Sequence, residues 1–444
     1  MKKLLAILGV SVGILVGVIG YAAYMGVNFD DTVNSEEVES LIITEATDEE
    51  PVVTPDLAPI ENASAYVENI VETTEEEWSE EMEEEAEAEE AGDDPESESD
   101  ASESEETDVV THNKNSYYYN QLSENERKVY DVIFRAIVGY DEGVTMPTMD
   151  EKLIDKIFNA VLADHPEIFY VNGYRCTKYS QGNVLKRIAF TGSYTYSKSA
   201  KTEIEPKLVE AKNDILKNVY PAASDYDKIK YIYETIILNT EYNLNSPDNQ
   251  NVISVLLNHS SVCQGYAKTF QWLLNDLGIP CTLDNGVVIG GERHAWNMCM
   301  ADGEWYYVDP TWGDSSYTNP DGSYVAFMPE MNYDYLLVPL SELSRTHTSE
   351  AVVAMPSATS IADNYYVREG LYLTSYDFNA VKAMADGQRA LGRQALVVKC
   401  ADDAVFQAAA HDLVDNQKIF DLVNTKEIRY QLEDDNRKLV FALQ

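Results

Sequence analysis

The segment from Cys263 to Asp314 has a pattern of apolar residues that predicts one helix followed by three strands. After Cys263 the apolar positions recur every three or four residues, as on the buried face of a helix, and a glycine and a proline within 278–280 end it. The strands are predicted at 282–289, from His294 onward and at 305–309, with Gly-Gly and Asp-Gly turns between them. A hairpin brings its two strands together, so His294 and Asp309 can be cross-strand partners.

Cysteine, histidine and aspartate occur in that order at Cys263, His294 and Asp309, and their chemistry is complementary. A cysteine is a useful nucleophile as the thiolate, which a helix N-terminus and a nearby histidine both favour. The histidine moves the proton, and an aspartate on its other ring nitrogen holds it in one tautomer. These three residues therefore predict acyl transfer through a thioester.

Three short motifs surround these residues: C-Q-G-Y-A at 263–267, H-A-W-N at 294–297 and Y-V-D-P-T-W at 307–312. Over roughly residues 205–340 the sequence resembles the transglutaminase-like thiol enzymes, and the joint spacing of three motifs makes the resemblance specific. The resemblance implies a papain-like α+β core with Cys263 as nucleophile, His294 as base and Asp309 as the orienting acid. It also implies that 225–243 is the helix that precedes such a core.

Each of these residues has a purely structural explanation when it is considered alone. A cysteine at a helix start is more often a small buried residue, and a lone histidine is more often a satisfied polar group. Their occurrence together favours catalysis. The backbone N–H of Cys263 is a candidate oxyanion donor, because helix N-termini present free donors. Core packing is the favoured role of three nearby tryptophans, Trp296, Trp305 and Trp312.

Other residues near the motifs are weaker candidates. A papain-type enzyme is disfavoured, because the oxyanion glutamine of that type precedes the nucleophile, whereas Gln264 follows Cys263. His259 is predicted to lie in the approach to the helix, outside the hairpin that carries His294. Glu292 and Arg293 flank the site, and a solvated turn is favoured for them over a role in substrate choice.

Residues 1–29 begin with Met-Lys-Lys and continue from Leu4 to Phe29 without a charged residue. Such a stretch can cross a hydrocarbon core of about 30 Å as a helix rising about 1.5 Å per residue. The two lysines predict a single-pass anchor in the cell membrane with the rest of the chain outside. A cleaved signal peptide, which would leave the protein secreted, is the alternative, and the length of the apolar run favours the anchor.

From Asp30 to Asp108 the chain has 33 acidic residues and no lysine or arginine, which accounts for most of its net charge of −45. Charge of one sign with low hydrophobicity predicts a disordered linker over 30–114, either a spacer, a cation-binding brush or simply solvated chain. This charge argues against nucleic acid as a partner.

The folded part is predicted to begin near Asn115, and the rest of the chain is too long for one compact core. Residues 115–200 are predicted as an α/β lead-in subdomain, with a capping box at Ser123 and Glu126. Residues 201–345 form the predicted catalytic domain, and 346–362 form a connector rich in serine, threonine and alanine.

Residues 363–444 are predicted as a small α+β domain with the order strand, helix, strand, helix, strand, strand, and a ferredoxin-like arrangement is suggested. The predicted fold class is therefore α+β: a transglutaminase-like core, an α/β lead-in and a small C-terminal domain. Nothing in the C-terminal residues carries recognisable chemistry.

The chain has five cysteines: Cys176, Cys263, Cys281, Cys299 and Cys400. An odd number leaves at least one thiol free, which suits Cys263. Cys281 and Cys299 lie on neighbouring predicted strands, and separate thiols are favoured over a disulfide between them. The sequence contains no paired metal-ligand spacing, calcium loop or phosphate loop, so we expect neither a metal nor a cofactor.

These features predict an exported thiol enzyme that cleaves or transfers amide acyl groups of protein or peptide substrates, possible substrates being surface proteins and cell-wall peptides. Water as acceptor gives hydrolysis and an amine gives a crosslink, and both remain open. One alternative is a catalytically silent scaffold that binds at the cell surface. Another is an interaction protein whose function lies in the tyrosine-rich lead-in and the C-terminal domain. Nothing in the sequence sets the oligomeric state.

Overall fold

The computed structural model describes residues 116–314 and 331–443 together with two strands, β1 (Ile42–Glu45) and β2 (Val67–Glu72). The chain divides into two compact units. The larger unit includes the described residues 116–314 and 335–363 together with β2, and the C-terminal unit includes the described residues 331–334 and 364–443 together with β1. No helix in the described part of the chain is long and apolar enough to cross a membrane. The predicted anchor at 1–29 lies outside the described residues.

The larger unit begins with three helices: α1 (Tyr117–Gln121), α2 (Glu124–Gly139) and α3 (Glu151–Asp164). Ser123 and Glu126 form the predicted capping box at the start of α2. The buried carboxylate of Asp164 accepts the backbone N–H groups of Tyr118 and Tyr119 at 2.9 and 2.8 Å. This contact ties α1 to the end of α3.

A four-stranded sheet follows, formed by β2, β3 (Val144–Thr145), β4 (Val171–Gln181) and β5 (Val184–Tyr194) in the order β2-β4-β5-β3. The hydrophobic core beneath it includes Tyr130 and Phe158 together with Cys263 and Ala295. The boundary predicted between residues 200 and 201 therefore does not separate two cores, because both segments bury side chains in the same one.

Four helices lead to the site: α4 (Lys198–Leu216), α5 (Asp225–Asn239), α6 (Val252–Leu256) and α7 (Cys263–Asp276). Ser224 caps α5, and the predicted apolar face of that helix, including Ile229 and Tyr233, is buried. Two short parallel strands, β6 (Glu241–Tyr242) and β7 (Ser260–Ser261), fix the chain just before α7.

The central sheet has the order β11-β10-β9-β8-β12, and all its neighbouring strands are antiparallel. Its strands are β8 (Cys281–Val288), β9 (Arg293–Ala301), β10 (Glu304–Val308), β11 (Leu336–Val338) and β12 (His347–Ser349). Short helices α8 (Pro310–Gly313) and α9 (Leu340–Leu343) follow β10 and β11. Cys281 and Cys299 are direct register partners, and both are free thiols, as favoured from the sequence.

Two predicted segments differ from the structure. Residues 346–362 were predicted to be a connector, but His347–Ser349 form β12, which pairs with β8 at the edge of the central sheet. A three-residue strand is too short to produce a visible alternation in the sequence. The acidic range 30–114 contains β1 and β2, which were not predicted, and most of that range lies outside the described residues.

The C-terminal unit contains a mixed sheet in the order β1-β15-β16-β14-β13. Its remaining elements are α10 (Tyr365–Arg368), β13 (Tyr372–Leu373), α11 (Phe378–Ala390), β14 (Ala395–Cys400), α12 (Asp403–Ala410), β15 (Glu427–Glu433) and β16 (Lys438–Ala442). The predicted element order is confirmed. The ferredoxin-like suggestion is wrong, because that fold places its second helix between the third and fourth strands. Here both helices precede β15, and β13 and β14 are parallel neighbours.

Candidate active site

Cys263 is the first residue of α7, and its side chain has no exposed surface. The N–H groups of a first helical turn have no intrahelical partners, and the positive end of the helix dipole lies there. Gly265 is in the same turn, and the hydroxyls of Ser254 and Ser261 occupy the space that its Cβ would need. These hydroxyls bond to each other at 2.6 Å, so the preceding chain packs closely on the turn that presents Cys263.

His294 and Asp309 lie together at the end of the β9–β10 hairpin. Nε2 of His294 is 2.7 Å from Oδ2 of Asp309, and both side chains are completely buried. The two residues are not direct register partners, because Val308, the last residue of β10, is opposite Asn297. The contact is therefore diagonal and depends on how Asp309 is held after the strand ends.

Asp309 is held by its role as the N-cap of α8. Its Oδ1 accepts the backbone N–H groups of Thr311 and Trp312 at 2.9 and 3.1 Å. Because one carboxylate oxygen is fixed by the cap, the other is fixed in direction as well, and it contacts His294. The D-P-T-W motif thus encodes both a helix start and the orientation of the acid.

A second histidine contacts the same carboxylate oxygen. Nε2 of His347, in β12, is 3.1 Å from Oδ2 of Asp309, and its Nδ1 is 2.7 Å from the hydroxyl of Thr346. His347 is also completely buried. His347 was not among the predicted site residues, and nothing in the local sequence indicates its role, because only the pairing of β12 with β8 brings it to the site.

The two histidines on Asp309 have pKa values shifted in opposite directions. Burial lowers the pKa of His294, but the charge and hydrogen bond of Asp309 and the nearby Cys263 thiol outweigh burial and raise it to about 10. Burial lowers the pKa of His347, and its partners do not reverse the shift. Burial raises the pKa of Asp309, and the two histidines reverse this effect and hold it below its ordinary value. Near neutral pH the Asp309 carboxylate therefore lies between the imidazolium of His294 and the neutral imidazole of His347.

The second ring nitrogen of His294 is available on the side of Cys263. Nδ1 is buried and makes no hydrogen bond of good geometry within the described residues. The Cys263 thiol is nevertheless close enough to act as a hydrogen-bonding and charged partner that raises the pKa of His294. The effect of Cys263 on the pKa of His294 is more informative than the missing hydrogen bond, because hydrogen bonds between catalytic groups are often long or poorly aligned when no substrate is bound.

His294, Asp309 and His347 also have the side chains of a metal site, with possible ligand atoms within 4.8 Å of one another. Two histidines and one carboxylate suit several divalent transition metals. However, the atoms that would bind the metal already bond to one another at 2.7 and 3.1 Å. A hydrogen-bonded triad with a second histidine accounts for this geometry without an ion.

Aromatic rings enclose the two histidines. Trp296 lies 5.9 Å from His294 and 4.9 Å from His347, and Trp312 lies 6.0 and 4.6 Å from the same rings, measured between ring centroids. Both tryptophans are buried, and Trp305 is partly buried against the same cluster, as the core role predicted for them requires. This enclosure removes water from the Asp309 hydrogen bonds and strengthens them.

The weaker candidates lie outside this group. His259 is exposed and has a left-handed backbone with φ of 52°. Arg293 pairs with Glu350 at 2.9 Å. The Gln264 side chain donates to Oδ1 of Asn285 at 2.7 Å.

Comparisons with known proteins identify the domain. Residues 214–310 match the model of the transglutaminase-like superfamily, and this range contains Cys263, His294 and Asp309. The mouse (Mus musculus) kyphoscoliosis peptidase is 24% identical over 131 residues, which cover 26% of this chain and 19% of that protein. The match thus spans about a fifth of the curated relative.

Two solved structures show partial similarity. A candidate cysteine protease from Cytophaga hutchinsonii is 16% identical, covers 39% of this chain and 59% of its own, and has a TM-score of 0.23. The periplasmic domain of TgpA from Pseudomonas aeruginosa is 18% identical, covers 29% and 57%, and has a TM-score of 0.20. TM-scores this low do not establish a shared fold, so the assignment rests on the match to the family model. The resemblance seen in the three motifs is confirmed, and the chain contains an α+β domain of the transglutaminase-like superfamily.

Proposed function

We propose that this protein is an exported thiol enzyme that cleaves or transfers amide acyl groups through a thioester on Cys263. The observation that carries the proposal is the 2.7 Å contact between His294 and Asp309, beside a cysteine at a helix N-terminus. A raised pKa of His294 supports it, because an imidazolium next to the cysteine stabilises the thiolate.

The proposed reaction uses each residue in turn. The Cys263 thiolate attacks the amide carbonyl, and the backbone N–H of Cys263 is a candidate donor to the oxyanion. His294 gives its proton to the leaving amine, and the C–N bond breaks to leave a thioester. Asp309 holds the imidazole and stabilises its charged form. Water or an amine then attacks the thioester, giving hydrolysis or a crosslink.

Export rests on the sequence of residues 1–29, and it makes surface proteins and cell-wall peptides the proposed substrates. The proposed location is the cell membrane, with the catalytic domain outside, or the exterior if the first segment is cleaved. The acidic range after it would act as a spacer. A membrane-flotation assay of the full chain, compared with a variant carrying two aspartates within the apolar run, tests the anchor.

The catalytic proposal is tested by labelling the full chain with a thiol-directed probe near neutral pH and locating the label by mass spectrometry. We expect selective labelling of Cys263. Burial raises the pKa of Cys176 and Cys400 to about 12 and also raises the pKa values of Cys281 and Cys299, so these thiols stay protonated. His294→Ala should remove the selectivity, and Cys400→Ala should leave it unchanged. Equal labelling of several cysteines, independent of His294, would refute the proposal.

One observation favours the alternative of a silent scaffold. Cys263, His294 and Asp309 have no exposed surface, so a substrate reaches the thiol only after local opening. The same labelling experiment separates the two functions. A scaffold predicts no His294-dependent reaction at Cys263 at any probe concentration, whereas an enzyme with a closed site predicts slow but selective labelling.

A further inference from the structure

A cavity of about 240 Å³ lies in the larger unit beside the start of α7. Its walls come from α3, α7, β8 and β9, and they include Gln264, the residue directly after Cys263. Asn285 in β8 and Arg293 in β9 line it as well. Asn285 precedes Gly286 and Arg293 precedes His294 in the sequence, and Gly286 and His294 are direct register partners. Because adjacent side chains of a strand point to opposite faces of the sheet, Gln264 is the lining residue that connects the cavity with the proposed nucleophile.

Lys268 supplies a positive charge to this cavity that no described carboxylate neutralises. It lies one helical turn after Gln264, on the same face of α7, and it is partly buried. Arg293 and Glu350, which also line the cavity, pair with each other at 2.9 Å, and Asp155, the fourth charged lining residue, accepts the hydroxyl of Tyr174 at 3.2 Å. Burial lowers the pKa of Lys268 to about 8, and no carboxylate contributes an opposing shift. A desolvated ammonium without a counter-ion favours an anionic ligand.

Two glutamines supply hydrogen-bond acceptors to the same cavity. Oε1 of Gln264 and Oε1 of Gln250 are buried and have no hydrogen-bond partner among the described residues. The amide nitrogen of Gln264 is already used, because it donates to Asn285. Two unbonded acceptors and one unpaired ammonium among the residues of the same cavity favour a ligand that has N–H donors and a negative charge.

We propose that this cavity binds a peptide segment with a free carboxylate, which pairs with Lys268 while the peptide N–H groups donate to Gln264 and Gln250. This inference rests on the proposed function, because it takes the reacting amide to lie at Cys263. Five residues of helix separate Cys263 from Lys268, which is about 7.5 Å along the axis. The two side chains also point about 140° apart around the helix axis, so at least about two extended peptide residues separate the carboxylate from the amide that reacts.

The test measures binding and does not need turnover. The full-length chain is mixed with randomised N-acetyl dipeptides that end in a carboxylate or in a carboxamide, and ligand-observed NMR reports which members bind. We expect about tenfold tighter binding of the carboxylate mixture, the value of a charge-assisted contact. A third mixture, with a glutamate side chain and a carboxamide end, distinguishes a side-chain carboxylate from a C-terminal one.

Variants locate the contact. Lys268→Met should abolish the preference for carboxylates, Lys268→Arg should keep it, and Lys207→Met, which removes the same charge from an exposed helical position, should leave it unchanged. Equal binding of the carboxylate and carboxamide mixtures by the wild type, no binding of either, or a preference that survives in Lys268→Met would overturn the inference. Wild-type binding alone decides the first two outcomes, so an unstable variant leaves the test intact.

Failure of this inference can be told apart from failure of the proposed function. Carboxylate-selective binding without His294-dependent labelling of Cys263 supports the cavity and refutes the enzyme. Selective labelling of Cys263 without carboxylate preference supports the enzyme and refutes the cavity.

Discussion

Asp309 in the larger unit and Asp334 in the C-terminal unit are both buried carboxylates held below their ordinary pKa, but their partners differ in kind. Asp309 contacts two histidines, at 2.7 and 3.1 Å. Asp334 contacts Lys438 and Lys399, and it accepts the hydroxyl of Tyr366 at 2.8 Å. One carboxylate thus lies between two histidines whose pKa values are shifted in opposite directions, and the other lies against two lysines and a tyrosine hydroxyl.

This difference in partners distinguishes the chemical role proposed for Asp309 from a structural role of Asp334. Lys438 also pairs with Glu433 at 2.8 Å, and both oxygens of Asp334 are bonded, Oδ1 to Tyr366 and Lys399 and Oδ2 to Lys438. His294, in contrast, keeps a buried Nδ1 without a hydrogen bond of good geometry in the described part of the chain, on the side of a cysteine. A buried ionic group that leaves one titratable atom available is a candidate for catalysis, and a saturated group is a candidate for stability.

The largest effect is expected from removing the charge of Asp334, both of whose carboxylate oxygens are bonded. Asp334→Asn leaves two buried lysines facing a neutral amide, so the free energy of unfolding of the C-terminal unit should fall by about 4 kcal/mol. Urea denaturation followed by hydrogen exchange in β14 and β16 measures the loss. Asp386→Asn, which removes a 64% exposed partner of Arg389, should cost less than about 0.5 kcal/mol. A loss below about 1 kcal/mol for Asp334→Asn would show that its ion pairs contribute little to stability, and the structural role of Asp334 would be refuted.

The second effect is a loss of stability as pH rises above neutral, whereas the lowered pKa of Asp334 makes the contribution of that carboxylate decrease as pH falls. The folded pKa of His294, about 10, lies above its ordinary value of 6.5, so its protonated form stabilises the fold. This contribution is fully present below pH 6.5 and is lost as pH rises toward 10. The difference in unfolding free energy between wild type and His294→Gln should therefore shrink by an amount on the order of 4 kcal/mol over this range. A difference that stays constant with pH would show that His294 does not gain its charge from Asp309.

The sequence predicted much of the site because its motifs are local. Cys263 at a helix start and Asp309 after a strand are both fixed by neighbouring residues, through Gly265 and through the Asp-Pro cap of α8. The α+β class and the order of elements followed from periodicity and turn residues in the same way.

What the sequence did not predict depends on pairing between distant segments. His347 reaches Asp309 because β12 adds to the edge of β8, across a separation of 38 residues between the two contacting side chains. The single core shared by the lead-in and the catalytic segment, and the parallel pairing of β13 with β14, are likewise long-range results. Such contacts leave no periodic signal in a single sequence.

The third effect concerns the thiol. Asp309→Asn keeps the cap geometry but loses the charge that holds the His294 imidazolium, which the proposed function places beside the reacting thiolate. A neutral imidazole stabilises a thiolate less than an imidazolium does, so the labelling rate at Cys263 should fall by roughly thirtyfold. Asp284→Asn is the matched control, because it alters a buried carboxylate of the same sheet that bonds to Ser349. A similar fall in both variants would indicate general loosening of the sheet.

The smallest effect is expected at His347, and it decides whether this histidine positions Asp309 or only fills space. His347→Phe keeps the ring but removes the donor to Asp309, so we expect about a tenfold slower labelling of Cys263, in line with other residues that orient a catalytic group. Because His347 helps to keep the pKa of Asp309 low, its loss should also move the acid limb of the pH–rate profile to higher pH. His347→Gln retains an N–H donor and should recover most of the rate and the original acid limb. An unchanged acid limb in His347→Phe, with the same rate as His347→Gln, would assign His347 to packing and leave His294 as the single histidine that matters to Asp309.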